Sequence, residues 1–158
     1  MEQNKDQYMK QAIELSKRNV TSNSGGPFGA VVVYKGKIIG EGVNSVTSSN
    51  DPTAHAEVEA IRAACKHLGS FDLSGAEIYT SCEPCPMCLS AIYWARLDKI
   101  YFANTRNDAA RIKFDDDLIY TEIPKKPTER KIPAEEMMRD QALEVFDLWD
   151  ASTEKVRY

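Results

Sequence analysis

Ala76-Glu77-Ile78-Tyr79-Thr80-Ser81-Cys82-Glu83-Pro84-Cys85-Pro86-Met87-Cys88 is the stretch on which the fold turns. Ala76 to Thr80 reads as a strand rich in β-branched and aromatic residues. Glu83-Pro84-Cys85-Pro86 then opens a helix, because proline is tolerated in a first turn. That helix continues through Leu89, Ile92 and Trp94, and Lys99 to Ala103 is again a strand. Upstream, Gly29–Tyr34 and Lys37–Glu41 form a β-hairpin about the turn Lys35-Gly36. Gln7 to Asn19 has apolar residues at helical spacing and Ser24-Gly25-Gly26-Pro27 breaks it. Asn44 to Pro52 is a polar loop. Asp51 suits an N-cap and Pro52 a first helical position, so a helix is expected from there to about Leu68, stopped by Gly69. Downstream, a short helix is expected at Asn107–Arg111 and a brief strand at Leu118–Thr121. Pro124–Pro133 is a charged connector, and a last helix spans Asp140–Thr153. A hairpin followed by alternating helix and strand favours helices layered on a mixed sheet, within one domain.

The chain has 158 residues, with 20 Lys and Arg against 24 Asp and Glu, a net charge of −4. No repeat or low-complexity segment interrupts it. No apolar run reaches the roughly 18 residues of a membrane span. The N-terminal residues lack the apolar run of a signal peptide, so a cytoplasmic location is expected. There the four cysteines call for a use other than disulfides. The acidic balance argues against a broad nucleic-acid-binding face.

Two short motifs carry chemistry: His55-Ala56-Glu57 and Pro84-Cys85-Pro86-Met87-Cys88. Cys85 and Cys88 are three apart and share one helix face, in a first turn whose dipole favours thiolate. Catalytic zinc takes three protein ligands and leaves a fourth position for water. His55, also near a helix start, is the candidate third ligand. Glu57 is the candidate proton carrier, since a carboxylate in reach of activated water can take its proton. Spacing of two does not share a helical face, so His55 must sit at the helix edge. A Cys-x-x-Cys pair alone fits a redox dithiol or half of a structural site, with Cys82 as a possible fourth ligand. Zinc deaminases, however, carry H-x-E followed by P-C-x-x-C, and this chain has both halves in order.

The chain resembles the cytidine-deaminase-like superfamily of zinc-dependent nucleobase deaminases, and within it the bacterial guanine deaminases. The resemblance rests on Gly25-Gly26-Pro27-Phe28-Gly29-Ala30, on Asn50 to Val58, on Tyr79 to Cys88 and on Ala91 to Arg96. Phe114-Asp115-Asp116, Ile119-Tyr120 and a C-terminal tyrosine point to the guanine enzymes. It implies a three-layer α/β/α sandwich around a central mixed five-stranded sheet, formed by one domain over residues 1–158. It also implies Zn2+ held by His55, Cys85 and Cys88, and hydrolysis of guanine to xanthine and ammonia with Glu57 as proton shuttle. Asp116 would contact the exocyclic amine. Here the acidic run is Asp115-Asp116-Asp117, preceded by Lys113 where the pattern has glycine, so Asp115 and Asp117 are alternative holders of that role. A solvated acidic loop is the other reading of the run.

Substrate contacts are expected from Asn44, whose amide can hydrogen-bond a purine edge, and from Phe28, which can stack on a base or pack in the core. The resemblance adds Ala54, and Tyr158 as a residue closing over the substrate. It suggests a homodimer in which a C-terminal segment of about residues 134–158 is exchanged; packing of Phe146, Leu148 and Trp149 within one chain is equally consistent. The expected partner is a small purine base, with no nucleic acid and no membrane. Other substrates for the same chemistry are tRNA adenosine, cytosine or a nucleoside, and a non-catalytic zinc module is a further alternative. Cys65 and Cys82 read as bystanders, and His67 as a surface residue near a helix end.

Overall fold

The computed structural model describes residues 5–158. They fall into two compact units, one up to Asp116 and one over Asp117–Tyr158. The first unit contains α1 (Lys5–Thr21), β1 (Gly29–Tyr34), β2 (Lys37–Val43), α2 (Val46–Ser49), α3 (Ala56–Leu68), β3 (Ala76–Cys82), α4 (Pro86–Trp94), β4 (Lys99–Asn104) and α5 (Arg106–Arg111). The second contains α6 (Asp117–Glu122), a 3-10 turn at Pro127–Glu129 and α7 (Arg139–Ala151). No helix of the described residues is long and apolar enough to cross a membrane.

The sheet has the order β2-β1-β3-β4. β1 pairs antiparallel with both β2 and β3, and β3 pairs parallel with β4. It is a mixed sheet of four strands among the described residues, not the five expected. The residues read as a fifth strand, Leu118–Thr121, are helical within α6. Four consecutive residues are too few to separate a strand period from a helical one. Two further boundaries move. Asp51 does not cap α3: its Oδ1 accepts from the Thr53 amide at 2.8 Å and the Thr53 hydroxyl at 2.7 Å, closing an Asx turn. The α3 N-cap is instead His55, four residues later. The loop Asn44–Pro52 also contains the short helix α2.

β1 is buried on both faces, and its alternation separates two cores. Ala30 and Val32 point with Ile78 towards Ala56, Ala60 and Ala64 of α3 and Ile92 of α4. Val31 and Val33 point with Tyr79 towards Tyr8 and Leu15 of α1. The result is the expected three-layer arrangement, α1 on one face and α3 with α4 on the other. The period-2 alternation of a strand and the i, i+4, i+8 alanine row of a helix meet here.

Glycines set the distance between layers. A Cβ at Gly40 would lie 2.7 Å from the Ala64 nitrogen, and one at Gly42 would fall closer than 3.0 Å to the Ala56 carbonyl oxygen and the Ala60 nitrogen. Both strand positions therefore let the α3 backbone rest directly on β2. Gly29 does the same for α1, against Ala12 and Ser16. Gly42→Val should destabilise the protein by roughly 1–3 kcal/mol or more, as overpacked cores do, measured by urea unfolding. Because Gly42 faces the first turn of α3, the variant should also bind less metal; unchanged stability would show that α3 can move away freely.

Candidate metal centre and base cleft

His55 and Cys85 are each the N-cap of a helix, with extended backbone and no side-chain capping bond. Both side chains are thus released from their own helices. Cys88 follows in the first turn of α4, fully buried. The three ligand atoms lie within 4.8 Å of one another, and this is the His/Cys/Asp/Glu group of that kind found among the described residues. His55 Nδ1 is 3.6 Å from Cys85 Sγ and 3.5 Å from Cys88 Sγ. A tetrahedral zinc with nitrogen at roughly 2.0–2.1 Å and sulfur at roughly 2.3 Å holds those donors about 3.6 Å apart. The donor set and its spacing fit zinc.

Cys82 is outside the group: its Sγ is directed at the Thr105 carbonyl, 3.7 Å away, and burial pushes its thiol up to about 11. Three protein ligands without a fourth is the open type of zinc site. The hydrogen bond from Cys88 draws the Cys85 thiol down to about 4, while that same bond and burial push Cys88 up. Thiol ligands give up their protons when a divalent cation binds. The bond to Cys85 also raises His55.

Glu57 is 6% exposed. Its Oε2 is 3.4 Å from Cys88 Sγ, and its Oε1 lies 3.5 Å from the Thr80 hydroxyl. The requirement that His55 sit at the helix edge is met, because His55 precedes α3 and helical spacing does not govern it. Burial is the main force raising the Glu57 carboxyl. Thr80, which also donates to the Cys82 carbonyl at 2.9 Å, is a functional neighbour that sequence reading missed. No sequence signal singles it out, because the same strand also carries Glu77 and Ser81.

Asp116 is half-buried between exposed Asp115 and Asp117. Its Oδ1 is 3.9 Å from Nε of Arg106. Burial raises its carboxyl, the Arg106 charge opposes that, and the Cys85 charge adds to it. Arg106, also missed in the sequence, is held by its backbone N–H to Glu83 Oε2 at 2.9 Å. The register of this loop follows from the end of α5. The Lys113 amide donates to the Ala110 carbonyl and the Phe114 amide to the Ala109 carbonyl, both at 3.0 Å, with Lys113 at φ 76°. This is a Schellman cap, whose left-handed residue is usually glycine. Lys113 therefore adopts the backbone that glycine would supply, at a strain cost of roughly 1–2 kcal/mol. Asp117 begins α6 in the second unit.

Asn44 is 8% exposed. Its Oδ1 accepts from the Val46 amide at 3.3 Å, so its side-chain nitrogen is the group left to act as a donor. Phe28 packs edge-on to Phe114 with ring centroids 5.0 Å apart, and a Cβ at Gly26 would lie 3.3 Å from the Phe28 ring and 3.6 Å from Asn44 Cγ. Phe28, Gly26 and Asn44 are thus neighbours. Ala54 is buried, and its carbonyl accepts from the Ser45 amide at 2.9 Å. Tyr158 lies in the second unit and is exposed.

Residues 2–104 match the family model described as the cytidine and deoxycytidylate deaminase zinc-binding region. Guanine deaminase of Bacillus subtilis is 50% identical over 155 residues, 98% of this chain and 99% of the relative. The crystal structure of a guanine deaminase from Bacillus subtilis superposes with a TM-score of 0.95 at 50% identity, over 98% of this chain and 99% of that one. A tRNA-specific adenosine deaminase of Aquifex aeolicus is 40% identical over 99 residues, 63% of this chain and 65% of its own. The three-ligand centre, the buried carboxylate beside it and these likenesses agree: the chain belongs to the cytidine and deoxycytidylate deaminase zinc-binding family.

Proposed function

We propose that this chain hydrolyses guanine to xanthine and ammonia in the cytoplasm. The observation that carries the reading is Glu57 at 3.4 Å from a ligand sulfur, in a chain whose 50% likeness to a guanine deaminase runs nearly end to end. A purely structural metal site needs no buried carboxylate beside it. The tRNA-specific adenosine deaminase of Aquifex aeolicus matches 63% of this chain, against 98% for the guanine deaminase, and the net charge of −4 with an acidic loop suits a small base better than a polyanion.

His55, Cys85 and Cys88 hold the zinc, which when bound brings the pKa of a coordinated water towards about 7. Glu57 would carry one proton from the attacking water to a ring nitrogen and a second to the departing amine, so that guanine and water become xanthine and ammonia. Thr80 helps to fix the carboxyl by its contact with Oε1. Asp116, beside Arg106, accepts a hydrogen bond from the exocyclic amine. Asn44 donates to a purine acceptor, Phe28 stacks on the base, Ala54 lines the cleft and Tyr158 closes over it.

The chain acts as one deaminase domain that dimerises by exchanging about residues 134–158. Apolar side chains on both sides support this reading: Tyr93, Trp94 and Phe102 are exposed in the first unit, and Phe146, Leu148 and Trp149 in the second. Each unit thus presents the kind of surface that association covers.

Ammonia release should be highest with guanine among guanine, adenine, cytosine and guanosine; release from another base alone would overturn the substrate assignment. Glu57→Ala should lower turnover roughly 10²–10⁴-fold, the range for a lost general acid–base group, while keeping zinc by metal analysis, whereas Cys85→Ser should lose it. Asp116→Ala should cut turnover about tenfold to a hundredfold, as loss of a charged hydrogen-bond partner does, and Asp117→Ala should not; the reverse order would move the role along the loop. Sedimentation equilibrium should give a dimer, and deletion of residues 134–158 a monomer; a wild-type monomer would remove the exchange.

A further inference from the structure

We infer that Asn19, from the last turn of α1, is the positioning residue that sets the base cleft. This rests on the reading of Asn44 and Phe28 as substrate contacts. Asn19 is 4% exposed. Its Nδ2 donates to the Gly26 carbonyl at 2.8 Å and to the Asn44 carbonyl at 2.9 Å. Only an amino group can face two carbonyl oxygens, so the orientation of the amide is fixed by its partners. One side chain thereby joins the two backbone segments that bear the cleft, the Gly25–Phe28 loop and the end of β2.

The surroundings show a tight joint. A Cβ at Gly25 would lie 2.9 Å from the Asn19 amide nitrogen and 3.2 Å from the Asn44 carbonyl carbon, so the loop can approach the clip only as glycine. The Asn44 amide donates back to the Phe28 carbonyl at 3.2 Å, and the Phe28 amide to the Gly26 carbonyl at 2.9 Å. Asn19, Gly26, Phe28 and Asn44 therefore form one closed set of hydrogen bonds. The two side chains at its outer edge are the aromatic face and the amide donor proposed to grip the base. Asn19 touches neither the base nor the metal ligands; it acts through Asn44 and Phe28. Without its donors, the buried Asn44 carbonyl loses this partner, the Gly26 carbonyl keeps only the Phe28 amide, and the gap between ring and amide is no longer fixed.

Asn19→Asp is the sharpest variant, because it keeps the shape and removes both donors. With guanine, KM should rise about tenfold or more, the effect of one lost buried hydrogen bond or two, kcat should change less than threefold, and zinc should remain bound. Asn44→Ala should raise KM likewise, and adding Asn19→Asp to it should change KM less than twofold. If Asn19→Asp does not fold, Asn19→Ser, with one hydroxyl donor, should give an intermediate KM in the same cycle. An unchanged KM in a folded Asn19 variant beside a raised one in Asn44→Ala overturns the inference alone. Effects that multiply in the double variant also overturn it. An unchanged KM in Asn44→Ala overturns the substrate role of Asn44 and with it this inference.

Discussion

The contact of helix α3 with strand β2 governs the geometry of the metal centre. Gly40 and Gly42 remove the side chains from one face of β2, and Ala56, Ala60 and Ala64 remove them from the facing side of α3. With so little between the two backbones, α3 has almost no freedom to slide or tilt. Its first residue is Ala56, so His55 and Glu57 inherit that fixed position. On the other side of the site, α4 begins four residues after β3 ends, and its packing through Ile92 fixes Cys85 and Cys88. Two helix starts, each locked to the same sheet, leave only a narrow range of ligand separations, and that range is the one a tetrahedral cation needs.

Much of this was legible in the residue order. The hairpin, the strand–helix–strand order around α4 and the layering of helices on a mixed sheet follow from periodicity and from the prolines at Pro84 and Pro86, and the three layers from the family resemblance. The ligand set follows from two short motifs. What escaped is equally instructive. Asp51 has the chemistry of an N-cap, but Thr53 offers it two donors within a local turn, and that competition is not visible from propensity alone. Leu118–Thr121 has four residues whose pattern serves a strand or a helix. Thr80, Arg106 and Asn19 carry no motif; their meaning comes from partners 23, 10 and 25 residues away in sequence, which only the folded chain brings close. Lys113 is the opposite case: a lysine stands where the left-handed backbone favours glycine.

The acidic loop and the cleft illustrate how two kinds of rigidity divide the labour. The centre is held by helix packing, where any change of volume is felt. The segments proposed to wall it are held by hydrogen bonds between backbone segments, through the α5 cap and the Asn19 clip. Such joints tolerate changes in side-chain bulk nearby but not the loss of a donor, so differences in substrate preference between related chains are expected to arise there.

The ligand set has one more effect, on the chain as a polymer. His55 and Cys88 are separated by 33 residues, a segment that includes all of α3 and the whole of β3. A cation held by both ends closes that segment into a ring. In the chain-entropy picture a covalent cross-link over such a length removes on the order of 3–4 kcal/mol of unfolded-state freedom, and a tightly held metal acts in the same sense. The atom that serves the chemistry would therefore also staple the segment from His55 to Cys88, coupling resistance to unfolding to the same three side chains as catalysis.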